Sequence, residues 1–169
     1  MRKCAQALLL GIILIFGHTA ANAQSAAFAG TRYVCSEQGQ RMFAIQYAPG
    51  CSVLPRENGW ENVVSAPNII VDVQPATIVR EGNSVKIWIR NYLNKSYPYV
   101  SQQGKNRGNY DGMKGVFQFV CGKRQQIILQ ADYTLAGTPI YYRLSNESVT
   151  EGIEPGTVAE TLYTKYCPS

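Results

Sequence analysis

Histidine is almost missing from this 169-residue chain: the one present, His18, sits in an N-terminal apolar run. With that run removed, no imidazole remains. Ser-His-Asp triads, Cys-His pairs and histidine-ligated zinc are then excluded. Aspartate is scarce too, at Asp72, Asp111 and Asp132. Glu57/Glu61 and Glu151/Glu154 are close in sequence and read as solvated charges. The chain has no Ser-x-x-Lys, no Gly-x-Ser-x-Gly and no Gly-x-x-x-x-Gly-Lys-Ser/Thr, so the common serine-nucleophile and nucleotide-loop signatures are absent. Cysteines occur without Cys-x-x-Cys spacing, which argues against a metal site. No enzyme and no cofactor is expected. Charged residues are only 16% of the chain while apolar residues reach 46%, which excludes a disordered polyelectrolyte.

The N-terminal run has its own logic. Arg2 and Lys3 form a basic start, Ala7 to Gly17 an apolar core, and Ala21-Asn22-Ala23 a small-x-small cleavage site. That order is the secretory signal pattern, which predicts a signal peptide over 1–23 with cleavage after Ala23. The apolar core is about half the ~20 residues of a membrane span. Cys4 precedes it, and Gln24 occupies the place a lipidated cysteine would need. The expectation is a soluble exported protein with no lipid anchor and no transmembrane segment. The mature chain would carry 14 basic against 11 acidic side chains, a net +3. That charge is weak and the compartment lacks the partner, so nucleic acid is not expected.

Four cysteines remain after cleavage: Cys35, Cys51, Cys121 and Cys167. An even count in an exported chain predicts disulfides. Three connectivities exist. Cys35–Cys51 with Cys121–Cys167 is preferred, because the first two bracket an apparent hairpin.

The small residues of 24–30 read as a loose leader. Arg32–Cys35 and Arg41–Tyr47 are expected as strands around Gln38-Gly39-Gln40, with Pro49-Gly50 turning the chain into Cys51. Pro55 to Gly59 is a plausible linker. Beyond it, strands are predicted over Trp60–Ser65, Ile69–Val73, Ser84–Leu93, Gly115–Cys121, Gln125–Leu135 and Pro139–Ser145, with turn chemistry between them. Thr157-Val-Ala-Glu160 has capping-box spacing. It opens a helix over Val158–Tyr166 whose Val158, Leu162 and Tyr166 form an apolar stripe. The fold class is therefore α+β: a mainly antiparallel β-sheet with one C-terminal helix packed on one face.

Alternation sorts the side chains. Val85, Ile87, Ile89 and Leu93 share one face of their strand. Ile127, Leu129, Ala131, Tyr133 and Leu135 share one face of theirs. The opposite, aromatic–polar face is expected to carry Trp88, Arg90, Tyr92, Tyr141 and Arg143, residue types enriched in binding hot spots. Two readings stay open: an external ligand, or cover by the N-terminal hairpin or by a second copy. Ser101–Gly115 reads as a long polar loop whose Lys105, Arg107 and Lys114 could meet acidic glycans, headgroups or phosphate, or only solvent.

Four pieces occur in order: Trp60-Glu-Asn-Val63; Pro75-Ala-Thr-Ile78 with Gly82 to Trp88; Phe117-Gln-Phe-Val-Cys121; and Ile153 to Leu162, ending in Cys167. In these the stretch Gly59–Cys167 resembles the surface-adhesin protein E family of exported bacterial proteins. The resemblance implies an antiparallel sheet with a helix on it over 59–169, after a leader and disulfide hairpin over 24–58. The hairpin resembles a small cysteine module of exported bacterial proteins. Relatives usually carry Asp before the proline of the second piece; Gln74 stands here, with Asp72 two residues earlier. The implied function is non-catalytic binding, adhesin-like, to a protein partner or a host- or cell-surface component. A structural periplasmic accessory subunit with an assembly interface, including a homodimer, is the alternative.

Overall fold

The computed structural model describes residues 31–37, 40–55, 57–100, 106–143 and 150–167. The expected signal peptide, the leader over 24–30, the Gln38-Gly39 turn, Lys105 and the end of the last predicted strand (144 and 145) lie outside the described residues. So do the side chains of Tyr142 and Arg143.

Among the described residues there are two antiparallel sheets and one helix. The small sheet holds β1 (Arg32–Glu37), β2 (Gln40–Ala44) and β3 (Cys51–Leu54) in the order β2-β1-β3. The large sheet is a meander. It runs β4 (Glu61–Ala66), β5 (Ile69–Glu81), β6 (Ser84–Val100), β7 (Asn106–Val120) and β8 (Gln125–Leu135), each beside its predecessor. β9 (Thr138–Arg143) and β10 (Thr150–Gly152) pair with opposite ends of β8. The helix α1 spans Val158–Tyr166.

One face of the large sheet is the core. Val73, Val85, Ile87, Ile89, Phe117 and Phe119 are all buried there. Helix α1 closes it with Val158, Ala159, Leu162 and Tyr166, as the stripe predicts. Thr157 Oγ1 accepts the N–H of Glu160 at 3.2 Å. The Glu160 carboxylate reaches back to the N–H of Gly156 at 2.7 Å, one residue earlier than in a capping box. At the other end the Cys121–Cys167 disulfide ties the helix to the end of β7. Arg80 Nη1 donates to the carbonyl of Tyr166 at 2.7 Å.

The opposite face of the large sheet is partly covered by the small one. Phe43 and Leu54 pack with Ile70, Val34 and Tyr92. The N–H of Phe43 donates to the carbonyl of Pro67. Arg41 donates to the carbonyl of Leu93 and pairs with Asp111 at 3.1 Å. The expected Cys35–Cys51 bond joins β1 to β3 at facing positions. Both disulfides belong to an oxidising, extracytoplasmic setting. No described helix is long and apolar enough to cross a membrane.

Three expectations need correction. The polar stretch Ser101–Gly115 is mostly not a loop, because β7 begins at Asn106. Two of its glycines, Gly112 and Gly115, reflect crowding between strands. A Cβ on Gly115 would meet the carbonyl oxygen of Gln130 on β8, and one on Gly112 the hydroxyl of Thr134. Gly115→Ala should therefore cost about 1–3 kcal/mol by forcing β7 and β8 apart. A denaturant midpoint close to that of the parent would show that the pair yields there at no cost.

The facing pattern of β8 also changes midway. Val116 pairs with Gln130, but Phe117 pairs with Ile128, so Leu129 is an extra residue. Before this bulge it is Ile128, not Ile127, that enters the core, at 1% exposed against an intermediate Ile127.

Strand β5 runs past Val73 to Glu81, across Pro75. Pro75 has no N–H for the ladder, and the pairing with β6 shifts between Gln74 and Val79. Thr77 patches the gap: its hydroxyl accepts from the N–H of Trp88 at 3.1 Å and donates to the carbonyl of Gln74 at 2.6 Å.

Candidate functional site

On the face that carries the small sheet, β5 and β6 place Asp72 opposite Arg90. Strand β1 brings Arg32 down onto the pair. Asp72 is 0% exposed, Arg32 3% and Arg90 4%. Arg32 holds the carboxylate with both terminal nitrogens, at 2.5 and 3.2 Å. Asn62 Nδ2 donates at 3.1 Å and Arg90 Nε at 3.0 Å. Four donors saturate the acceptor sites of one carboxylate. Burial pushes the Asp72 carboxyl up, but the Arg32 hydrogen bond and charge, with Asn62 and Arg90, outweigh it and hold it below its ordinary value of 3.8. A carboxylate fixed in this way is an anchor and a poor proton acceptor.

Arg90 extends the network towards the surface. Its Nη1 lies 2.9 Å from Glu57, which is 61% exposed and falls in the expected linker. Its guanidinium stacks 4.6 Å from the ring centre of Trp60 and 5.5 Å from that of Tyr92. Lys114, from the neighbouring strand, then stands 5.4 Å from the Trp60 ring and 5.7 Å from the Trp88 ring. These separations are in the cation–π range. The result is a ladder of alternating rings and cations: Tyr92, Arg90, Trp60, Lys114, Trp88. At its inner end Arg90 is buried and Tyr92 is half-buried against the small sheet. At its outer end Trp60 and Trp88 are half-buried and Lys114 is exposed.

The structure joins Trp88, Arg90 and Tyr92, and at Arg90 and Tyr92 it is the N-terminal hairpin that covers the face, one of the two readings left open, so Arg90 is an interior residue. The structure adds Lys114, which the sequence reading had assigned to the basic loop. Tyr141 belongs elsewhere. It pairs with Tyr133, whose side chain is buried on the core face, and stacks on Tyr99 with ring centres 4.7 Å apart. Arg107 covers it at 5.7 Å. Arg143 ends β9 opposite Ala131. Among the described side chains, Tyr141 lies apart from Trp88, Arg90 and Tyr92, and Arg107 apart from Lys114.

Sequence reasoning missed Trp60, Asp72, Asn62 and Arg32 as members of this cluster. Asp72 and Arg90 lie on adjoining predicted strands, and an opposite-charge pair there was a usable signal. Arg32 had none, because its contact spans 40 residues. In comparisons with known proteins, no family model matches the chain, and no curated protein matches it significantly.

Proposed function

We propose that this is a non-catalytic exported interaction protein, periplasmic or displayed at the cell surface. It holds a protein partner or a host- or cell-surface component against Trp60, Trp88 and Lys114. One observation carries the reading: two half-buried indoles share one exposed lysine on the part of the sheet face that the small sheet leaves open. Rings and cations of this kind dominate binding energies because they bring large area with little entropy to lose. The Asp72 network beneath supports it by fixing Arg90 and hence Trp60 before any partner arrives, which lowers the ordering cost of binding. The saturated state of Asp72 supports a role without acid–base chemistry. The resemblance to the surface-adhesin protein E family points the same way.

An assembly subunit is the second reading. It is supported by the small sheet, which already packs Phe43 and Leu54 on part of this face. Both readings use the same residues and separate on one pair of variants. Trp88→Ala and Lys114→Glu, assayed for melting midpoint, native mass and binding to candidate surfaces, should keep the fold. Trp88→Ala should weaken association about 30-fold, the effect of a hot-spot residue. Loss of a self-assembled mass favours the subunit, and loss of binding by a monomer favours the adhesin-like role. Unchanged mass and unchanged binding in both variants would remove this surface from consideration.

A further inference from the structure

The Trp60–Lys114–Trp88 surface hangs from a short turn. In Glu57-Asn58-Gly59-Trp60 the N–H of Trp60 donates to the carbonyl of Glu57 at 3.3 Å. The first residue of the turn reaches Arg90 at 2.9 Å. The last sets its indole against Arg90 and Lys114. The two in the middle are exposed, and they are the chain's single Asn-Gly pair. Gly59 takes φ +82°, a conformation that glycine enters freely.

An Asn-Gly pair carries its own chemistry. The backbone nitrogen of Gly59, once it gives its proton to solvent base, can attack Cγ of Asn58. The new C–N bond closes a five-membered imide, and the side-chain nitrogen leaves as ammonia. Water then opens the ring. Cleavage at the side-chain carbonyl gives aspartate, and cleavage at the main-chain carbonyl gives isoaspartate. No oxidant or reductant takes part. Asparagine is among the chemically labile residues, and a following glycine hinders the attack least because it has no Cβ. The peptide between the two must also be free to rotate. Among the described residues nothing hydrogen-bonds the Asn58 amide or the Gly59 N–H. A Cβ built on Gly59 would meet only Gln74 Nε2, at 3.8 Å.

Two other pairs give the contrast. Asp111-Gly112 could close the same ring, but the Asp111 carboxylate accepts the N–H of Ala136 at 3.1 Å and pairs with Arg41 at 3.1 Å. Gly112 is held in β7 between β6 and β8. Asn83 is exposed in a turn as Asn58 is, but Ser84 follows it and begins β6.

We propose that Asn58 is a self-modifying site, which converts without an enzyme to isoaspartate and aspartate, and that conversion dislodges Trp60 from Arg90 and Lys114. Isoaspartate adds one atom to the main chain between Glu57 and Trp60, so the turn's hydrogen bond loses its register. It also brings a new negative charge into the turn. This is a one-way control on the surface proposed above, and its functional meaning rests on that reading.

Ageing the folded, disulfide-bonded protein in warm, mildly alkaline buffer tests it. Peptide mapping, with fragmentation that separates isoaspartate from aspartate, should find Asn58 converted about tenfold faster than Asn83, with Asp111 unchanged. Asn58→Gln should stop the reaction, because the longer side chain must close a less favourable ring. Both tryptophans of the chain belong to this surface, so their emission reads the second step. It should move to the red in the aged parent and stay fixed in aged Asn58→Gln. Conversion of Asn58 no faster than of Asn83 overturns the proposal, and so does full conversion with unmoved emission. Neither readout needs a partner. Unchanged binding and mass in Trp88→Ala and Lys114→Glu would remove the functional reading and leave both results standing.

Discussion

Asp72→Asn is expected to destabilise the protein by about 3–5 kcal/mol, the usual cost of removing one partner from a buried ion pair. The amide has nearly the same shape, so the loss reports charge and not volume. Arg32 and Arg90 would both remain buried with no anion between them, and Arg32 would be left with weaker acceptance on an otherwise apolar interface. The first consequence should be loosening of the small sheet, because Arg32 is its buried charged anchor on the large one, beside the more exposed Arg41–Asp111 pair. The same variant should change the acid limb of stability. Folding holds the Asp72 carboxyl below its ordinary value of 3.8. A group lowered in this way contributes stability that is fully present above the unfolded value and is lost as pH falls through the folded one. The parent should therefore weaken progressively below about pH 4, and Asp72→Asn should show a shallower decline there. Urea melts between neutral pH and strong acid give both numbers. Equal midpoints at neutral pH would show that the two arginines are satisfied by solvent.

Replacing Cys121 and Cys167 together by Ser should cost about 4 kcal/mol in the chain-entropy account, since the bond closes a loop of 46 residues. The corresponding change at Cys35 and Cys51 closes only 16, and should cost about 3 kcal/mol. Helix α1 retains other ties after the first change. The N–H of Gly122 still donates to Tyr163 Oη at 2.8 Å, and Arg124 still pairs with Glu160. The double variant should thus keep its helix at low denaturant and lose it early on the unfolding curve. A midpoint equal to that of the oxidised parent would mean that apolar packing and these remaining ties hold the helix without the bond.

Much of this architecture could be read before any coordinates. Helix α1 and strand β8 have the expected bounds, because a cap, a stripe and a dense apolar run are local signals. The disulfide pairing was legible for the same reason: Cys35 and Cys51 flank a short reversal. Failures cluster where one residue shifts a register. The extra Leu129 exchanges the two faces of early β8, since a strand has a period of two and a single insertion inverts it. A second shift between Tyr133 and Thr134 lies where β9 pairs with β8, and alternation counted from Trp88 could not carry across to Tyr141. For Arg90 the sequence leaves both a surface contact and cover by the N-terminal hairpin open, and nothing on its own strand decides between them; the small sheet supplies the cover. Composition misled at Asn106–Gly115, where Gly112 and Gly115 mark close strand approach.

The meander has a consequence for the order of assembly. In the large sheet each strand from β4 to β9 finds its neighbour immediately before or after it in the chain, so the sheet can zip up hairpin by hairpin with short loop closures. The small sheet behaves differently. Its own cysteines are near in sequence and can close early, but its platform is supplied by Ile70, Asp72 and Tyr92, which come later in the chain. In a polypeptide that emerges from its N-terminus, Arg32 and Phe43 are therefore among the first core residues out and among the last to be buried. Until β5 and β6 have paired, the protein carries an arginine without its acid and a phenylalanine without its floor. That interval is when a holding chaperone would have most to grip.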